Sequence, residues 1–163
     1  MPQELEIRTA TESDVPLILE FIRALAEYER LLDRVVATED LIRTTLFGHP
    51  RFAEVLIAEW KGEPAGFALF FHNYSTFLGR PGIYLEDLFV KPEARGRGVG
   101  KALLARLASI ARSRNCGRLE WAVLNWNKPS IDFYESLGAV PMSDWIVYRL
   151  IGDALDKLAE TAD

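Results

Sequence analysis

Three glycines within a short basic segment of this 163-residue sequence are well suited to bind a phosphate group. Gly96, Gly98 and Gly100 stand in residues 95–101, R-G-R-G-V-G-K, directly before an amphipathic segment. Glycine lets a backbone turn tightly and approach a ligand closely because it has no Cβ. Where such a turn opens a helix, unpaired N–H groups and the helix dipole both favour an anion. Residues 95–101 are therefore predicted to bind the phosphates of a cofactor, with two arginines and a lysine adding positive charge.

The spacing of the glycines excludes two common phosphate-binding loops. The pattern G-x-x-x-x-G-K-[ST] would need glycine in place of Arg95 and a hydroxyl residue in place of Ala102. The pattern G-x-G-x-x-G would need glycine in place of Lys101 and a position after the first strand. The pattern that remains is R-x-x-G-x-G, formed by Arg95, Gly98 and Gly100.

This remaining pattern resembles the pyrophosphate loop of the GNAT superfamily of acyl-CoA N-acyltransferases, and two other segments resemble the same family. Residues 125–139 resemble its element N-x-x-[AS]-x-x-[FL]-Y-x-x-x-G, with Asn127 and Tyr134 at the asparagine and tyrosine positions. Residues 7–14 resemble its opening I-R-x-A-x-x-x-D. The resemblance extends from residue 7 to about residue 150 and implies a GNAT fold that uses acetyl-CoA.

Longer runs resemble one branch of that family, the diamine (spermidine/spermine) and thialysine N-acetyltransferases. These runs are residues 26–29 (AEYE), 84–90 (YLEDLFV) and 126–134 (WNKPSIDFY). Members of the branch are homodimers that acetylate small primary amines with acetyl-CoA. The resemblance therefore implies an N-acetyltransferase, a homodimer, and a small primary amine as acceptor.

Such a reaction needs groups that move protons and hold a cation. A primary ammonium has a pKa near ~10.4 and becomes a nucleophile only after it loses a proton. By resemblance, Glu86 is the candidate for amine recognition and for proton removal through water. The alternation of a strand is expected to place the adjacent Asp87 on the opposite face. Tyr134 is the candidate general acid that protonates the departing thiolate.

The resemblance also implies which residues bind the cofactor and the amine. The backbone of residues 88–90 is expected to bind the pantetheine arm as a neighbouring strand would. The predicted cofactor-binding residues are Leu88, Phe89, Val90, Arg95, Gly96, Arg97, Gly98, Val99, Gly100, Lys101, Asn127, Ser130 and Tyr134. The predicted substrate-binding residues are Tyr28, Glu29, Ser75, Phe77 and Glu86.

Three positions depart from the polyamine-acetylating members of the branch. Those members carry aspartate where this chain has Ser75, tryptophan where it has Phe77, and an acidic residue where it has Ile146. Serine is also the residue of the thialysine-type members. A missing carboxylate weakens the binding of the distal ammonium of a long polyamine, so the sequence favours thialysine, a lysine-like or ornithine-like amino acid, or a short diamine.

The elements that must position these residues predict one α/β domain with a mixed, mostly antiparallel central sheet flanked by helices. The domain covers residues 1–163, with a core at about residues 5–150 and a C-terminal helix at about 153–161. Strands are predicted at 5–8, 54–60, 65–72, 83–90, 119–124 and 145–150, and helices to about Tyr28 and at 38–48, 99–114, 129–137 and from Asp153.

Composition excludes several other classes of protein. The net charge of −5 argues against a general nucleic-acid binder. Apolar runs are too short to span a bilayer, and the N-terminus does not resemble a secretion signal. The single cysteine, Cys116, fits a reducing compartment, so a cytoplasmic protein is expected. His49, His72 and Cys116 lack the spacing of metal ligands, and no metal site is predicted.

Two alternatives remain open at this point. The same fold could acetylate a protein amine or an aminoglycoside instead of a small amine. The chain could also be a non-catalytic acyl-CoA-binding module, although cofactor binding alone does not require both Glu86 and Tyr134.

Overall fold

Five strands lie side by side in sequence order in the computed structural model, which describes residues 3–162. The strands are β1 Leu5–Thr9, β2 Glu54–Trp60, β3 Glu63–Ser75, β4 Arg80–Val90 and β5 Leu119–Trp121. The α-helices are α1 Val15–Tyr28, α2 Glu39–Phe47, α3 Val99–Ser113, α4 Lys128–Ser136 and α5 Gly152–Ala159. Contacts group the sheet and α1 to α3 into one compact unit, residues 1–124, and α4 and α5 into a second, residues 125–163.

The sheet is mixed and mostly antiparallel, as predicted. Strands β1 to β4 pair antiparallel with their neighbours, and β5 pairs parallel with β4. Parallel neighbours need a long connection, and the segment through α3 provides that connection between β4 and β5. Helices flank this sheet, so the predicted fold class is confirmed.

A carboxylate network fixes the start of α1 against the sheet. The Thr11 N–H donates to the Asp14 carboxylate at 2.8 Å in a capping box, as the sequence predicts. The Arg8 guanidinium donates to both oxygens of Asp14, at 2.7 and 2.8 Å, and also to Glu59 of β2. Hydrogen bonding from Arg8 holds the pKa of Asp14 below its usual value. The entry to α1 is thereby joined to β1 and β2.

Aromatic rings form the centre of the core between the sheet and α1. The rings of Phe21 and Phe67 stack with centroids 5.2 Å apart, and Phe89 lies 6.3 Å from Phe21. All three side chains are buried, and each contributes roughly 1.5–3 kcal/mol by leaving water. The buried cluster comprises Ala10, Val15, Ile18, Phe21, Ile42, Leu46, Val55, Ile57, Phe67 and Phe89. These contacts hold the middle of α1 against β3 and β4.

Two predictions for the C-terminal segment are wrong. Residues 145–150 do not form a strand: they lack regular secondary structure, and their side chains are exposed. Alternation of apolar residues suits a strand, but a strand also needs a partner for its N–H and C=O groups. Asp153 does not cap α5, because Ile151 occupies the N-cap; Asp153 lies in the first turn, where a carboxylate favours the helix dipole.

The predicted strands differ from the observed ones mainly in length. Strands β3 and β4 extend to a hairpin whose loop is residues 76–79, beyond the predicted bounds at residues 72 and 83. Strand β5 ends at Trp121 instead of residue 124. Among the described residues, no helix is both long enough and apolar enough to cross a membrane.

Candidate functional site

The glycine loop has the backbone conformation that only glycine adopts readily. Gly96 and Gly98 have φ values of 79° and 78°, in the left-handed region. A Cβ built on either glycine would have no heavy atom within 4 Å, so the space beside the loop is open. The first helical bond of α3 runs from the Ala102 N–H to the Gly98 carbonyl, and the earlier N–H groups of this turn have no helical partner. This arrangement suits a phosphate group.

Strand β4 has an open edge beside this loop. Strand β5 pairs only with Ile83, Tyr84 and Leu85, so residues 86–90 have no strand partner on that side in the described part of the chain. The Lys91 N–H donates to the Ala65 carbonyl of β3 at 2.8 Å. Since peptide groups alternate in direction along an antiparallel strand, those of Leu88 and Val90 point away from β3. An extended ligand arm could therefore pair with this edge.

The three residues predicted to bind the cofactor through their backbone thus differ from one another. Leu88 and Val90 direct their peptide groups to the open edge, whereas those of Phe89 face β3, opposite Phe67. The Phe89 side chain belongs to the buried cluster instead.

A β-bulge at Glu86 marks the place where the pairing with β5 stops. Leu69 of β3 pairs with Asp87, but the next residue, Phe70, pairs with Leu85, so Glu86 is the extra residue. Directly opposed residues share a face, which places Asp87 on the face of Leu69 and Leu85 on the face of Phe70. The bulge thus places Leu85 and Asp87, two residues apart, on opposite faces, so the regular alternation of β4 is interrupted at Glu86.

Near this bulge the carboxyl group of Asp87 interacts electrostatically with those of Glu86 and Glu29. Glu86 is exposed, whereas Asp87 is partly buried. Burial, together with the smaller effects of the negative charges of Glu86 and Glu29, raises the pKa of Asp87 from 3.8 to about 6. Burial also raises the pKa of Glu29, which follows the last residue of α1. Asp87 can therefore exchange a proton just below neutral pH.

Asp87 is the residue of this region that sequence reasoning set aside. Its adjacency to Glu86 was visible in the sequence, but its burial and its interaction with Glu29 depend on contacts between β4 and the end of α1. Only a three-dimensional arrangement shows them.

The arginine side chains of the glycine loop lie against aromatic rings. The Arg95 Nε–H donates to the Val90 carbonyl at 3.1 Å, and its guanidinium lies over the Tyr28 ring. The Arg97 guanidinium lies over the Trp60 ring, 4.9 Å from its centroid. Tyr28 and the glycine loop, predicted for amine and cofactor respectively, are thus brought together in the first unit.

Ser75 and Phe77, both predicted to bind substrate, lie at the hairpin between β3 and β4. Ser75 is buried, and its Oγ accepts a hydrogen bond from the Leu78 N–H at 3.2 Å, which stabilises the turn. The side chain of Phe77 is 97% exposed at the hairpin tip. The hydroxyl of Ser75 thus has a structural partner, and Phe77 offers an apolar surface.

Asn127, Ser130 and Tyr134 belong to the second unit, at and within α4. Asn127 is the N-cap residue, and its side-chain oxygen accepts a hydrogen bond from the Ser130 N–H at 3.4 Å. The Tyr134 ring lies 5.7 Å from that of Phe133. Asn127 therefore fixes the start of the helix that carries the other two residues.

Potential metal ligands do not cluster in the described part of the chain. Residues 3–162 contain no group of three or more His, Cys, Asp or Glu side chains that could hold a metal ion.

The chain is similar to a known protein family, to named enzymes and to solved structures with the same fold. The profile of the Acetyltransferase (GNAT) family matches residues 19–139. A thialysine N-epsilon-acetyltransferase from Bos taurus is 42% identical over 164 residues, covering 94% of this chain and 96% of its own length. An L-ornithine N5-acetyltransferase from Arabidopsis thaliana is 34% identical, covering 93% of this chain and 86% of its own length.

A solved structure agrees with the sequence relatives. An integron cassette protein from the mobile metagenome of V. cholerae superposes with a TM-score of 0.82 at 30% identity, covering 98% of this chain and all of its own. The chain therefore belongs to the acetyltransferase (GNAT) family and is an N-acetyltransferase.

The raised pKa of Asp87 predicts how stability depends on pH. An aspartyl carboxyl with a pKa near 3.8 unfolded and about 6 folded binds its proton more tightly in the folded state. Asp87 therefore adds to the free energy of unfolding below pH 3.8, and this contribution is lost as the pH rises through 6. As the pH rises between these two values, we expect the free energy of unfolding of Asp87→Asn to increase relative to that of wild type by roughly 1–3 kcal/mol.

Urea unfolding at a series of pH values measures this difference. Asp33→Asn, at an exposed aspartate, is the control for removing one negative charge. A difference between Asp87→Asn and wild type that stays constant or falls as the pH rises would contradict the expectation.

Proposed function

We propose that the chain transfers an acetyl group from acetyl-CoA to the primary amine of a small amine or amino acid, by direct attack in a ternary complex. The observation that carries the proposal is the open edge of β4 directly beside the glycine loop at the start of α3. A strand-like arm ending in a pyrophosphate matches both features. The thialysine and ornithine acetyltransferases among the relatives support the same class of acceptor.

The residues of this chain fit acetyl-CoA, which GNAT acetyltransferases use as acetyl donor. The peptide groups of Leu88 and Val90 would bind the pantetheine arm, and the backbone of residues 96–101 would bind the pyrophosphate. Asn127 and Ser130 would add hydrogen bonds. When bound, acetyl-CoA supplies a thioester whose carbonyl carbon is open to attack by a neutral amine.

The carboxylates at the bulge suit the acceptor amine. Glu86, Asp87 and Glu29 produce a negative potential that attracts an ammonium group. Glu86 would receive the ammonium proton through water, and Asp87 has a pKa of about 6 that suits it to hold a proton temporarily. Tyr134 would donate its hydroxyl proton to the leaving sulfur. These groups would together convert an ammonium and a thioester into an amide and a thiol.

The acceptor we favour is thialysine, an ornithine-like or lysine-like amino acid, or a short diamine. Tyr28 and Glu29 at the end of α1 would contact this amine, as would the hairpin residues Ser75 and Phe77. Ser75 carries no charge, and its hydroxyl is engaged in the hairpin turn. The hairpin therefore lacks a carboxylate at residue 75 for a distant second ammonium.

We also propose that the protein is a cytoplasmic homodimer. Residues 140–151 expose Trp145, Ile146, Val147 and Tyr148 by 75 to 91%, an apolar surface of the kind that forms interfaces. Light scattering distinguishes a dimer from the 18.4 kDa monomer, and a monomer would contradict this part. Cell fractionation tests the compartment, and recovery outside the cytoplasmic fraction would contradict that assignment.

Thiol release from acetyl-CoA tests the proposed reaction. The acceptor panel consists of thialysine, lysine, ornithine, putrescine, spermidine, an aminoglycoside and a histone-tail peptide. We expect the amino acids and the short diamine to give the highest kcat/KM. Preference for the peptide or the aminoglycoside would support the alternative acceptors, and CoA binding without thiol release from any amine would overturn the enzymatic proposal.

The same assay tests the proposed role of Tyr134. Tyr134→Phe removes the proton donor and keeps the ring, so kcat is expected to fall about 10- to 100-fold. The affinity for acetyl-CoA, measured by calorimetry, should change by less than about threefold, since the ring contacts are kept. An unchanged kcat would remove Tyr134 from this role.

A substitution in the glycine loop tests the pyrophosphate site. Asparagine tolerates positive φ, so Gly98→Asn should preserve the loop while placing a side chain in the space proposed for the phosphates. We expect CoA affinity to fall at least about tenfold, through steric exclusion of the phosphates. Gly62→Asn is the matched control, because Gly62 has φ 82° and equally open surroundings in the β2–β3 turn. Equal CoA affinity in the two variants would show that the phosphates bind elsewhere.

A further inference from the structure

The side chain of Arg95 contacts three groups that belong to different parts of the first unit. Its Cζ lies 5.2 Å from the centroid of the Tyr28 ring and 5.8 Å from that of the Phe89 ring. Its Nε–H donates to the Val90 carbonyl at 3.1 Å. The side chain therefore extends from the glycine loop across the end of β4 to the end of α1.

These contacts join the two parts of the proposed site. Tyr28 is the last residue of α1 and precedes Glu29, while Val90 presents its carbonyl at the open edge of β4. Phe89 is buried and packs against Phe21 of the same helix. Arg95 therefore lies where the amine end of the site, on α1, meets the strand proposed to bind the acetyl donor.

Arginine is the side chain that can make these contacts together. Its planar guanidinium can lie on aromatic rings while the Nε–H still donates a hydrogen bond. The ammonium of lysine is a compact point charge without that planar surface. The position thus depends on the shape of the side chain as well as on its charge.

The exposed helix end makes such a contact consequential. Tyr28 is 38% exposed, and the backbone after it is closed by hydrogen bonds from the Glu29 N–H to the Leu25 carbonyl and from the Leu31 N–H to the Ala26 carbonyl, so its side chain is the part that can change orientation. Directly after it, Arg30 has φ 62°, so the chain leaves the helix in a left-handed turn. A ring held by Arg95 limits the orientations that Tyr28 and its neighbour Glu29 can adopt.

We propose that Arg95 is a positioning residue that holds Tyr28, and with it the amine-binding end of α1, against β4. This role rests on the proposed function. It differs from binding of the cofactor phosphates by the arginine side chain, because the guanidinium is engaged with Tyr28 and Phe89. The backbone N–H groups of the loop remain the proposed phosphate ligands.

A double-mutant cycle between Arg95→Met and Tyr28→Leu tests this role. We expect Arg95→Met to raise the KM for the amine about two- to tenfold, the range given by loss of one cation–π contact. Because both substitutions remove the same contact, the double variant should have a KM close to that of the more affected single variant. Multiplicative effects of the two substitutions would overturn the proposal.

Arg97 provides the matched control in the same loop. Its guanidinium lies over Trp60 of β2, so Arg97→Met removes an equal charge and a similar ring contact. The effects of Arg97→Met and Tyr28→Leu on the KM for the amine should therefore multiply in the double variant. A cycle for Arg97 identical to that for Arg95 would show a general effect of charge in the loop and overturn the specific role of Arg95.

Arg95→Lys separates positioning from phosphate binding. Lysine keeps the charge near the loop, so the affinity for CoA in calorimetry should stay within about twofold of wild type, with the amine KM still raised. Restoration of the amine KM by lysine, or a loss confined to CoA affinity, would overturn the proposal.

Thermal unfolding without any ligand gives a readout independent of the reaction. The shifts in Tm for Arg95→Met and Tyr28→Leu should be non-additive if the contact exists, and additive shifts would overturn the proposal. Wild-type protein that releases no thiol with any amine would overturn the proposed function and, with it, the role of Arg95 in amine binding. Additive cycles in an active enzyme would overturn the role of Arg95 alone.

Discussion

The end of the β4–β5 pairing at Leu85 is the constraint on which the candidate site depends. A continuous pair of strands would use the peptide groups of Leu88 and Val90 for the sheet and leave none for a ligand. The bulge at Glu86 falls at the residue where the pairing stops, and it also directs Asp87 to the face of Leu69. The bulge at Glu86 therefore lies next to both the open backbone edge of β4 and the partly buried carboxylate of Asp87. The glycine loop and the N-terminus of α3 follow directly along the chain.

This arrangement carries a cost in stability that the rest of the first unit must offset. Asp87 is partly buried beside the charges of Glu86 and Glu29, which disfavours its ionised form. Stacking of Phe21 on Phe67 and the network of Arg8 with Asp14 hold the middle and the start of the α1 region against the sheet. The favourable free energy of these contacts offsets the cost of the unfavourable environment of Asp87.

The parts of the site that could be predicted from the sequence are those set by local pattern. The glycine spacing predicts the loop and the start of α3, because positive φ and an open helix N-terminus require particular residues at particular positions. The bulge at Glu86 could not be predicted, since register is decided by pairing with β3. The strand expected at residues 145–150 fails for a related reason: alternation describes a suitable surface but not whether a neighbouring strand is present. The direction of Arg95 likewise depends on Tyr28, which lies far away in sequence.

The division between backbone and side-chain contacts explains how such a site could separate donor from acceptor. Peptide groups of β4 and of the glycine loop offer the same hydrogen bonds whatever side chains they carry, so the proposed donor end depends on conformation. The proposed acceptor end depends on side chains, namely the carboxylates at the bulge and the residues that end α1. Under the proposed function, substitution of an acceptor-end side chain would therefore change the amine without altering the backbone proposed to bind the donor. Arg95 connects the two proposed ends, because its backbone lies in the loop while its guanidinium contacts Tyr28. By the proposed role, a change of this side chain affects the amine end and leaves the backbone of the loop in place.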